Sequence, residues 1–465
     1  MLRFALVVAA LAACKSEPPA QKSPPAPAPA AAPGVAIDPC AKAVPEGQMA
    51  WIRDDYPAAL ACAKQKKLPV VVDLWAPWCH TCLSMQTTVF TDPSFAGERD
   101  KFVWAALDTD REQNAAALTK LATSAWPTFY VIGADENVLA RFVGAASVQQ
   151  FHDFLAAGAK AQAGGIAAAD ARVLGAERAL AIKDYDTADS ELAAALTAAP
   201  KDWARRPEVL DSMILTKYKK HDDAGCLAVA DEHMAETGNA AAASDFLVTA
   251  MSCADDRAKD EPARVKTLRE HAVARWKQLL ADKTAPLSVD DRSDAMASLR
   301  EALDALGKKD EAKQIAEAQR ALLDDTAGKA PTPLAAMTYN WPRAEVYVYL
   351  GKPLDLVPAL EKSAKDLPEE YDPRARLGWI YLKAGKLPEA AQWTDKALEL
   401  VYGPRKGRLL AQRADIAAAA GDKAMEKKLR DDAVKLYEGL PAGQQAPEAL
   451  AKAKQALADV GSAAP

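Results

Sequence analysis

Residues 70–82 have the sequence VVVDLWAPWCHTC, from Val70 to Cys82. The first half is a continuous β-branched and apolar run, which predicts a strand buried on both faces. A tight turn then brings two cysteines, Cys79 and Cys82, to the start of a predicted helix. Positions i and i+3 lie one helical turn apart, so the two sulfurs can reach each other. Because the N-terminus of a helix favours a thiolate over a thiol, the stretch predicts a dithiol that cycles with a disulfide.

Length and composition set limits on the rest of the chain. Its 465 residues suffice for about two to four domains. Hydrophobic residues make up 50% and charged residues 26%, which is typical of globular proteins. The formal net charge of −6 gives no reason to expect a nucleic acid as a partner. No internal apolar run approaches the roughly 18 residues that a membrane-spanning helix needs.

The N-terminus predicts export and lipid anchoring. Arg3 precedes an apolar stretch from Phe4 to Ala13, which is typical of a signal peptide. Residues 11–14, LAAC, resemble the lipobox of bacterial lipoproteins, so residues 1–14 are the expected signal and Cys14 is the expected lipidation site. A general secretory signal with a chance cysteine is the alternative. Residues 15–38 are mostly proline, alanine, serine and lysine, which predicts a disordered tether.

An exported chain can form disulfides, so the cysteine count carries information. Of the seven cysteines, Cys14 is assigned to the lipid, and Cys79 and Cys82 to the active pair. Six cysteines allow 15 pairings, so any assignment is a hypothesis, and buried free thiols are the alternative. The hypothesis joins Cys40 to Cys62 and Cys226 to Cys253.

Residues 40–158 alternate between helix and strand patterns. A βαβ unit, a β-hairpin and a last helix predict an α/β domain, a mixed sheet covered by helices. The predicted strands cover residues 69–75, 101–107, 126–132 and 137–143, and the predicted helices cover residues 56–67, 81–88, 113–122 and 147–155.

This segment resembles the thioredoxin superfamily. Residues 72–79 match the strand and turn before that family's active site, and residues 124–128 match its cis-proline loop. Gly144 falls where the family keeps a glycine after the last strand. Residues 88–95 are more similar to the periplasmic thioredoxin-like domain of DsbD-type electron carriers than to cytoplasmic thioredoxin. The resemblance implies a cis bond before Pro127 and substrate contacts around Trp78, Trp126 and Pro127.

Three residues are the expected catalytic groups. Cys79, at the helix N-terminus, is the expected attacking thiolate, and Cys82 is the expected resolving thiol. Asp73 lies in the apolar strand, where a buried carboxylate has a raised pKa and can accept a proton from Cys82. The matching aspartate of thioredoxin is assigned this role, but the lysine near it in some thioredoxins falls near Ala106 here. The alternatives are a structural disulfide or half a zinc site for the cysteines, and a solvated strand-edge position for Asp73.

Two residues beside the cysteines have open roles. An imidazolium at His80 would stabilise the thiolate and raise the reduction potential, or His80 is an exposed helix residue with little effect. Met85, with the cysteines and His80, could hold copper(I), although a methionine there more often packs in a core. We expect no metal, and no cofactor other than the redox-active Cys79–Cys82 disulfide.

Residues 165–460 predict an all-α helical-repeat solenoid. Alanine-rich amphipathic helices follow one another, and the turn glycines Gly351, Gly385 and Gly421 lie 34 and 36 residues apart. Residues 374–381, with Ala390 and Ala397, resemble one tetratricopeptide repeat. About six or seven helical hairpins are expected, and a non-repetitive bundle is the alternative. Such repeats usually present a concave surface to a protein partner.

Together these patterns predict an exported, membrane-anchored thiol–disulfide oxidoreductase of a bacterial envelope, with envelope proteins as substrates. A membrane thiol donor is a candidate reductant, and the repeats are expected to bind a protein partner. The alternatives are a non-enzymatic envelope scaffold and a copper(I) carrier. Oxidising members of the family usually carry a histidine at the other position between the cysteines, so His80 does not indicate the direction of electron transfer. Reductase, oxidase and isomerase activities all stay open.

Overall fold

A mixed sheet forms the centre of the N-terminal domain. The computed structural model describes residues 38–123 and 125–462; the expected signal, the Cys14 lipidation site and the tether up to residue 37 lie outside the described residues. The strands of this domain are β1 (Val44–Glu46), β2 (Met49–Arg53), β3 (Val70–Trp75), β4 (Val103–Asp108), β5 (Thr128–Ile132) and β6 (Val138–Val143). Its helices are α1 (Tyr56–Lys66), α2 (His80–Thr87), α3 (Ala115–Leu118) and α4 (Val148–Gln162).

The strand order is β1-β2-β4-β3-β5-β6. Strand β4 is parallel to β2 and β3, whereas the β1–β2, β3–β5 and β5–β6 pairs are antiparallel. The sequence patterns did not predict β1 and β2, because β1 is short and fully exposed and therefore has no apolar alternation. The predicted thioredoxin-like α/β architecture is otherwise what the structure has.

Strand β3 is buried on both faces, as its apolar run predicts. Val70, Val72 and Leu74 pack in the core on the α1 side of the sheet, and Val71 packs in the aromatic core on the other side. Alternate residues of a strand share a face, so Asp73 points to the same side as Val71. The register pairs Asp73 with Ala106 of β4, where some thioredoxins have a lysine.

Two predicted helices differ in length from the observed ones. The prediction of a helix over residues 113–122 is wrong: a 3-10 turn at Glu112–Asn114 leads into the short α3. After α3 the N–H of Ala122 donates to the carbonyl of Ala181 in the helical region, a tertiary hydrogen bond that replaces further helical bonds. Helix α4 begins at a capping box formed by Ser147 and Gln150 and runs to Gln162, beyond the predicted end at residue 155.

Sixteen further helices, α5 to α20, follow in the described part of the chain. They are α5 (Ala168–Ala181), α6 (Tyr185–Ala198), α7 (Arg206–Lys219), α8 (Asp223–His233), α9 (Ala241–Arg257), α10 (Pro262–Ala281), α11 (Val289–Ala305), α12 (Lys309–Lys329), α13 (Pro333–Met337), α14 (Asn340–Tyr349), α15 (Val357–Asp366), α16 (Asp372–Lys383), α17 (Leu387–Leu398), α18 (Gly403–Ala419), α19 (Lys423–Glu438) and α20 (Pro447–Ser462).

Most of these helices pair as antiparallel hairpins, which confirms the predicted repeat architecture. Left-handed residues lie at the hairpin turns that the sequence marked, and glycine occupies most of them because it adopts positive φ without a Cβ clash. These residues are Lys183, His221, Gly307, Gly351, Gly385 and Gly421. In the tetratricopeptide-like hairpin of α16 and α17, a Cβ on Gly378 would lie 2.3 Å from Thr394 Oγ1, so only glycine permits this helix spacing.

The helical array packs around the thioredoxin-like domain. Helix α5 contacts β6, helices α11 and α13 contact α2, and the 3-10 turn Ala442–Gln444 contacts α3. The side chain of Gln444 donates to the carbonyl of Thr109 at 2.8 Å. Part of the surface of the array is therefore occupied by the chain's own domain.

Two disulfides lie away from the predicted active pair. Cys40 is bonded to Cys62 in α1, and Cys226 in α8 is bonded to Cys253 in α9. This is the pairing that the sequence hypothesis named. Among the described helices, none has both the length and the continuous apolar character needed to cross a bilayer.

Candidate active site

The Cys79–Cys82 pair lies at the N-terminus of α2. The two sulfurs are bonded to each other, and the backbone N–H of Cys82 donates to Cys79 Sγ at 3.0 Å, so Cys79 caps the helix. Once the bond is reduced, this N–H and the helix dipole stabilise a thiolate on Cys79. Cys79 is 5% exposed and Cys82 is 1% exposed, so Cys79 is the more accessible sulfur, although both are buried.

The loop before β5 lies beside the dithiol. The Trp126–Pro127 bond is cis, as the resemblance implies. The N–H of Gly144 donates to the carbonyl of Pro127 at 2.9 Å, which ties this loop to the end of β6. The indole N–H of Trp126 donates to the hydroxyl of Thr109 at 2.9 Å, and its ring packs edge-on against Trp78.

Asp73 is buried in the central strand β3. It is 2% exposed, and its Oδ1 has no hydrogen-bond partner within the described residues. Burial raises the pKa of Asp73 to about 7, because desolvation outweighs the attraction of Arg53. A carboxyl group with this pKa can take up and release a proton near neutral pH.

His80 is held by the helical array. Its Nδ1 lies 3.0 Å from both carboxylate oxygens of Asp290, a fully buried residue of α11, and 3.9 Å from Asp294. Burial alone would lower the pKa of His80, but the charges of Asp290 and Asp294 outweigh it and raise the pKa to about 10. His80 is therefore an imidazolium at neutral pH, with its charge balanced mainly by Asp290.

Trp78 is also covered by the array. Its ring packs against an apolar cluster that includes Tyr371 and Leu409, and its indole N–H donates to Asp110 at 2.8 Å. Arg376 of α16 donates to the carbonyl of Trp78 at 3.4 Å. Helices of the array therefore hold both sequence neighbours of Cys79.

The residues that sequence reasoning missed are those the array supplies. Asp290 and Arg376 lie 210 and 298 positions from the residues they contact, so no local pattern indicates them. Trp341 of α14 and Trp379 of α16 also contact each other, with ring centroids 5.1 Å apart and tilted planes.

Metal-binding capacity in the described residues is confined to one group. His80, Asp290 and Asp294 place their ligand atoms within 4.8 Å of one another, and a protonated His80 already accounts for this arrangement as an ion pair. Met85 does not join the cysteines, because it packs in the aromatic core and its sulfur accepts a hydrogen bond from the N–H of Ala146.

Comparison with known proteins supports the domain assignment. A family model described as thioredoxin-like matches residues 50–134. The chain is 41% identical over 54 residues to the thiol:disulfide interchange protein DsbD of Vibrio vulnificus strain CMCP6, and the match to strain YJ016 is the same. The aligned part is 12% of this chain and spans only 9% of the length of those relatives. Residues 50–134 are a thioredoxin-like domain.

Comparison with solved structures gives matches of low similarity. BtubC from P. vanneervenii is 12% identical with a TM-score of 0.28, and the alignment covers 56% of this chain and 94% of BtubC. The structure titled TPR2AB-domain:pHSP90-complex of yeast Sti1 is 14% identical with a TM-score of 0.24, and covers 63% and 98%. TM-scores this low do not establish a shared fold. The repeat architecture of the array is seen in its own helices.

Proposed function

We propose that the chain is a thiol–disulfide oxidoreductase that uses Cys79 and Cys82. The observation that carries the proposal is the Cys79–Cys82 disulfide at the start of α2, with Cys79 Sγ accepting the Cys82 N–H. The thioredoxin-like match and the partial similarity to a thiol:disulfide interchange protein support the same chemistry.

The exchange proceeds in two steps. The Cys79 thiolate attacks a substrate disulfide, forms a mixed disulfide and releases one substrate thiolate. Cys82 then gives its proton to Asp73, and its thiolate attacks Cys79 Sγ and releases the second substrate thiolate. Asp73 suits this role because its pKa of about 7 lets it accept the proton and return it to solvent. The reverse sequence oxidises a substrate dithiol.

The test uses the full-length protein and two cysteine variants. Reduced Cys82→Ser, treated with 2-hydroxyethyl disulfide, is expected to hold a stable mixed disulfide on Cys79, detected by mass spectrometry of the intact chain. Cys79→Ser is the matched control and is expected to form no adduct at this site. A folded Cys82→Ser protein without an adduct would overturn the enzymatic proposal and favour the scaffold alternative.

We also propose that the protein is exported and anchored by a lipid on Cys14, with substrates and a membrane thiol donor in the bacterial envelope. The support is the lipobox-like sequence of residues 11–14. Expression in a bacterium that acylates lipoproteins is expected to give a membrane-bound chain with a lipid on Cys14. A Cys14→Ser variant is expected to leave the membrane fraction, and an unchanged distribution would contradict the anchor.

A further inference from the structure

A cleft lies directly over Cys79, between the thioredoxin-like domain and the array. Its volume is about 520 Å³, and its wall includes Cys79 and His80 from one side and helices α14, α16 and α18 from the other. Volumes of this order are typical of sites for small molecules rather than of surfaces for folded proteins. Cys79 therefore faces a cleft whose wall comes largely from helices of the array.

The wall of this cleft is aromatic and positively charged. Its tryptophans are Trp78, Trp126, Trp341 and Trp379. Its charged side chains are Arg376, Arg405, Arg408 and His80, and no carboxylate is among the described residues that line it. The charge of His80 is balanced by Asp290, which leaves the three guanidinium groups to set the potential in the cleft.

Two of the three guanidinium groups form no salt bridge within the described residues, although the charges of Asp110 and Asp372 act on them from a distance. Arg376 pairs with Asp372 at 2.7 Å. Within the described residues Arg405 and Arg408 form no salt bridge, and the buried Nε of Arg405 has no hydrogen-bond partner. The guanidinium of Arg405 lies over the ring of Trp78, 4.8 Å from its centroid, and is thereby held beside the residue that precedes the nucleophile.

The electrostatics of Arg405 favour an anionic ligand. Burial, together with the nearby charges of Arg376 and Arg408, lowers its pKa to about 10. Asp110 lines the adjoining cavity together with Arg405 and Arg408 and attracts both guanidinium groups, but its carboxylate accepts the indole N–H of Trp78 and forms no salt bridge with either arginine. A carboxylate entering the cleft would supply the acceptor that Arg405 lacks, since guanidinium and carboxylate groups form paired, charge-assisted hydrogen bonds.

Access for a folded protein is restricted. In the described structure both residues that flank Cys79 are in contact with the array, Trp78 with the Tyr371 cluster and His80 with Asp290. The surface around the nucleophile that a folded substrate would need is therefore already covered. A small disulfide, whose sulfurs lie within a few bonds of its carboxylates, needs only the cleft.

We infer that the cleft formed by Trp78, Trp341, Trp379, Arg405 and Arg408 binds a small disulfide that carries carboxylates and presents its sulfur to Cys79. The inference rests on the proposed oxidoreductase function and names its substrate class. The reduced dithiol and one substrate disulfide give the Cys79–Cys82 disulfide and two substrate thiols. Two electrons pass from the cysteines to the substrate, the substrate S–S bond breaks and the Cys79–Cys82 bond forms; the Cys82 proton passes through Asp73 to solvent, and the two thiolates that are released take up protons from solvent.

The test compares the rates at which three small disulfides of different charge oxidise the reduced full-length protein. They are 3,3′-dithiodipropionate (anionic), 2-hydroxyethyl disulfide (neutral) and cystamine (cationic). Single-turnover oxidation is followed by the change in tryptophan fluorescence, since Trp78 and Trp126 contact the dithiol. Each rate is divided by the rate of dithiothreitol with the same disulfide, which removes intrinsic reactivity. We expect an anion-over-neutral preference of about tenfold or more, because a hydrogen bond to a charged group is worth at least that factor.

The variants separate the cleft from the dithiol. Arg408→Gln and Arg405→Gln are each expected to lower the anion-over-neutral ratio several-fold, and Arg408→Gln serves if the more buried Arg405 proves necessary for folding. Lys406→Gln, on the same helix but not in the cleft wall, is the matched control and should keep the ratio. Raising the salt concentration should also reduce the preference.

Each remaining outcome decides one of the two proposals. If all three disulfides react with the same normalised rate, the oxidoreductase function stands and the inference is overturned. If none reacts while dithiothreitol reduces all three, the proposed function itself fails. A peptide disulfide with acidic flanking residues that reacts faster than 3,3′-dithiodipropionate would overturn the assignment to a small molecule and favour an extended protein segment.

Discussion

Replacing Asp290 by asparagine removes the buried counter-charge of His80. The pKa of His80 is about 10 in the folded protein, against 6.5 for an unperturbed histidine. At about 1.4 kcal/mol per pKa unit, this difference sets an upper limit of about 5 kcal/mol on the stability that the pair contributes. Because the side chain of His80 is 21% exposed and Asp294 remains nearby, we expect a loss of about 2 kcal/mol.

The pH dependence has a definite sign. A histidine whose pKa is raised by folding contributes its full stabilisation below the unfolded value of 6.5 and loses it as the pH rises towards 10. The gap in unfolding free energy between the wild type and Asp290→Asn is therefore largest at pH 6 and narrows at pH 9. The pKa of Asp294 is itself raised to about 8 by burial, so Asp294→Asn, which removes a more distant carboxylate, should lower the pKa of His80 less than Asp290→Asn does.

Two measurements check this prediction. NMR titration of the protein with ¹³C-labelled histidine gives the pKa of His80 directly, with the signal assigned by a His80→Asn variant. Urea unfolding of the wild type and of Asp290→Asn at pH 6 and pH 9 gives the difference in unfolding free energy, taken from the first unfolding transition of each protein. The reasoning is refuted if His80 titrates near 6.5 in the wild type, or if Asp290→Asn leaves its pKa unchanged.

Three further predictions follow from other contacts. Asp73→Asn should slow resolution of the mixed disulfide by about 100-fold and remove the pH dependence near 7, as measured by quenched-flow mass spectrometry. Gly378→Ala should lower stability by about 1–3 kcal/mol, since its Cβ would meet Thr394, whereas Gly97→Ala has open space and should not; thermal unfolding compares the two. Replacing both Cys226 and Cys253 by serine should cost about 3 kcal/mol in urea unfolding, and an unchanged midpoint would argue against a stabilising bond.

The sequence predicted the thioredoxin-like domain because its signals are local. The apolar run of β3, the two cysteines and the proline of the cis bond all lie within short segments whose pattern is sufficient. Strand β1 was missed because an exposed three-residue strand has no apolar alternation. The helix predicted over residues 113–122 was too long because Ala122 bonds to Ala181, a contact that helix propensity does not contain.

The site was predicted only in part, for a related reason. Cys79, Cys82 and Asp73 lie within ten residues of one another on consecutive elements, so the local sequence pattern indicates all three. The partners of His80 and Trp78 come from helices more than 200 residues away, and an amphipathic pattern shows which face of a helix is buried without showing what it is buried against. The positive charge of the cleft was hidden because the chain as a whole is acidic.

The bond from Gln444 to the carbonyl of Thr109 joins residues 335 positions apart. The thioredoxin-like domain emerges before residue 444, from the ribosome or from the export machinery, and N-terminal domains generally fold first. The nascent protein therefore passes through a period in which the dithiol is formed but its wall is incomplete. In that period Cys79 lacks the helices that cover it, so the selectivity proposed for the cleft requires the last helices to be in place.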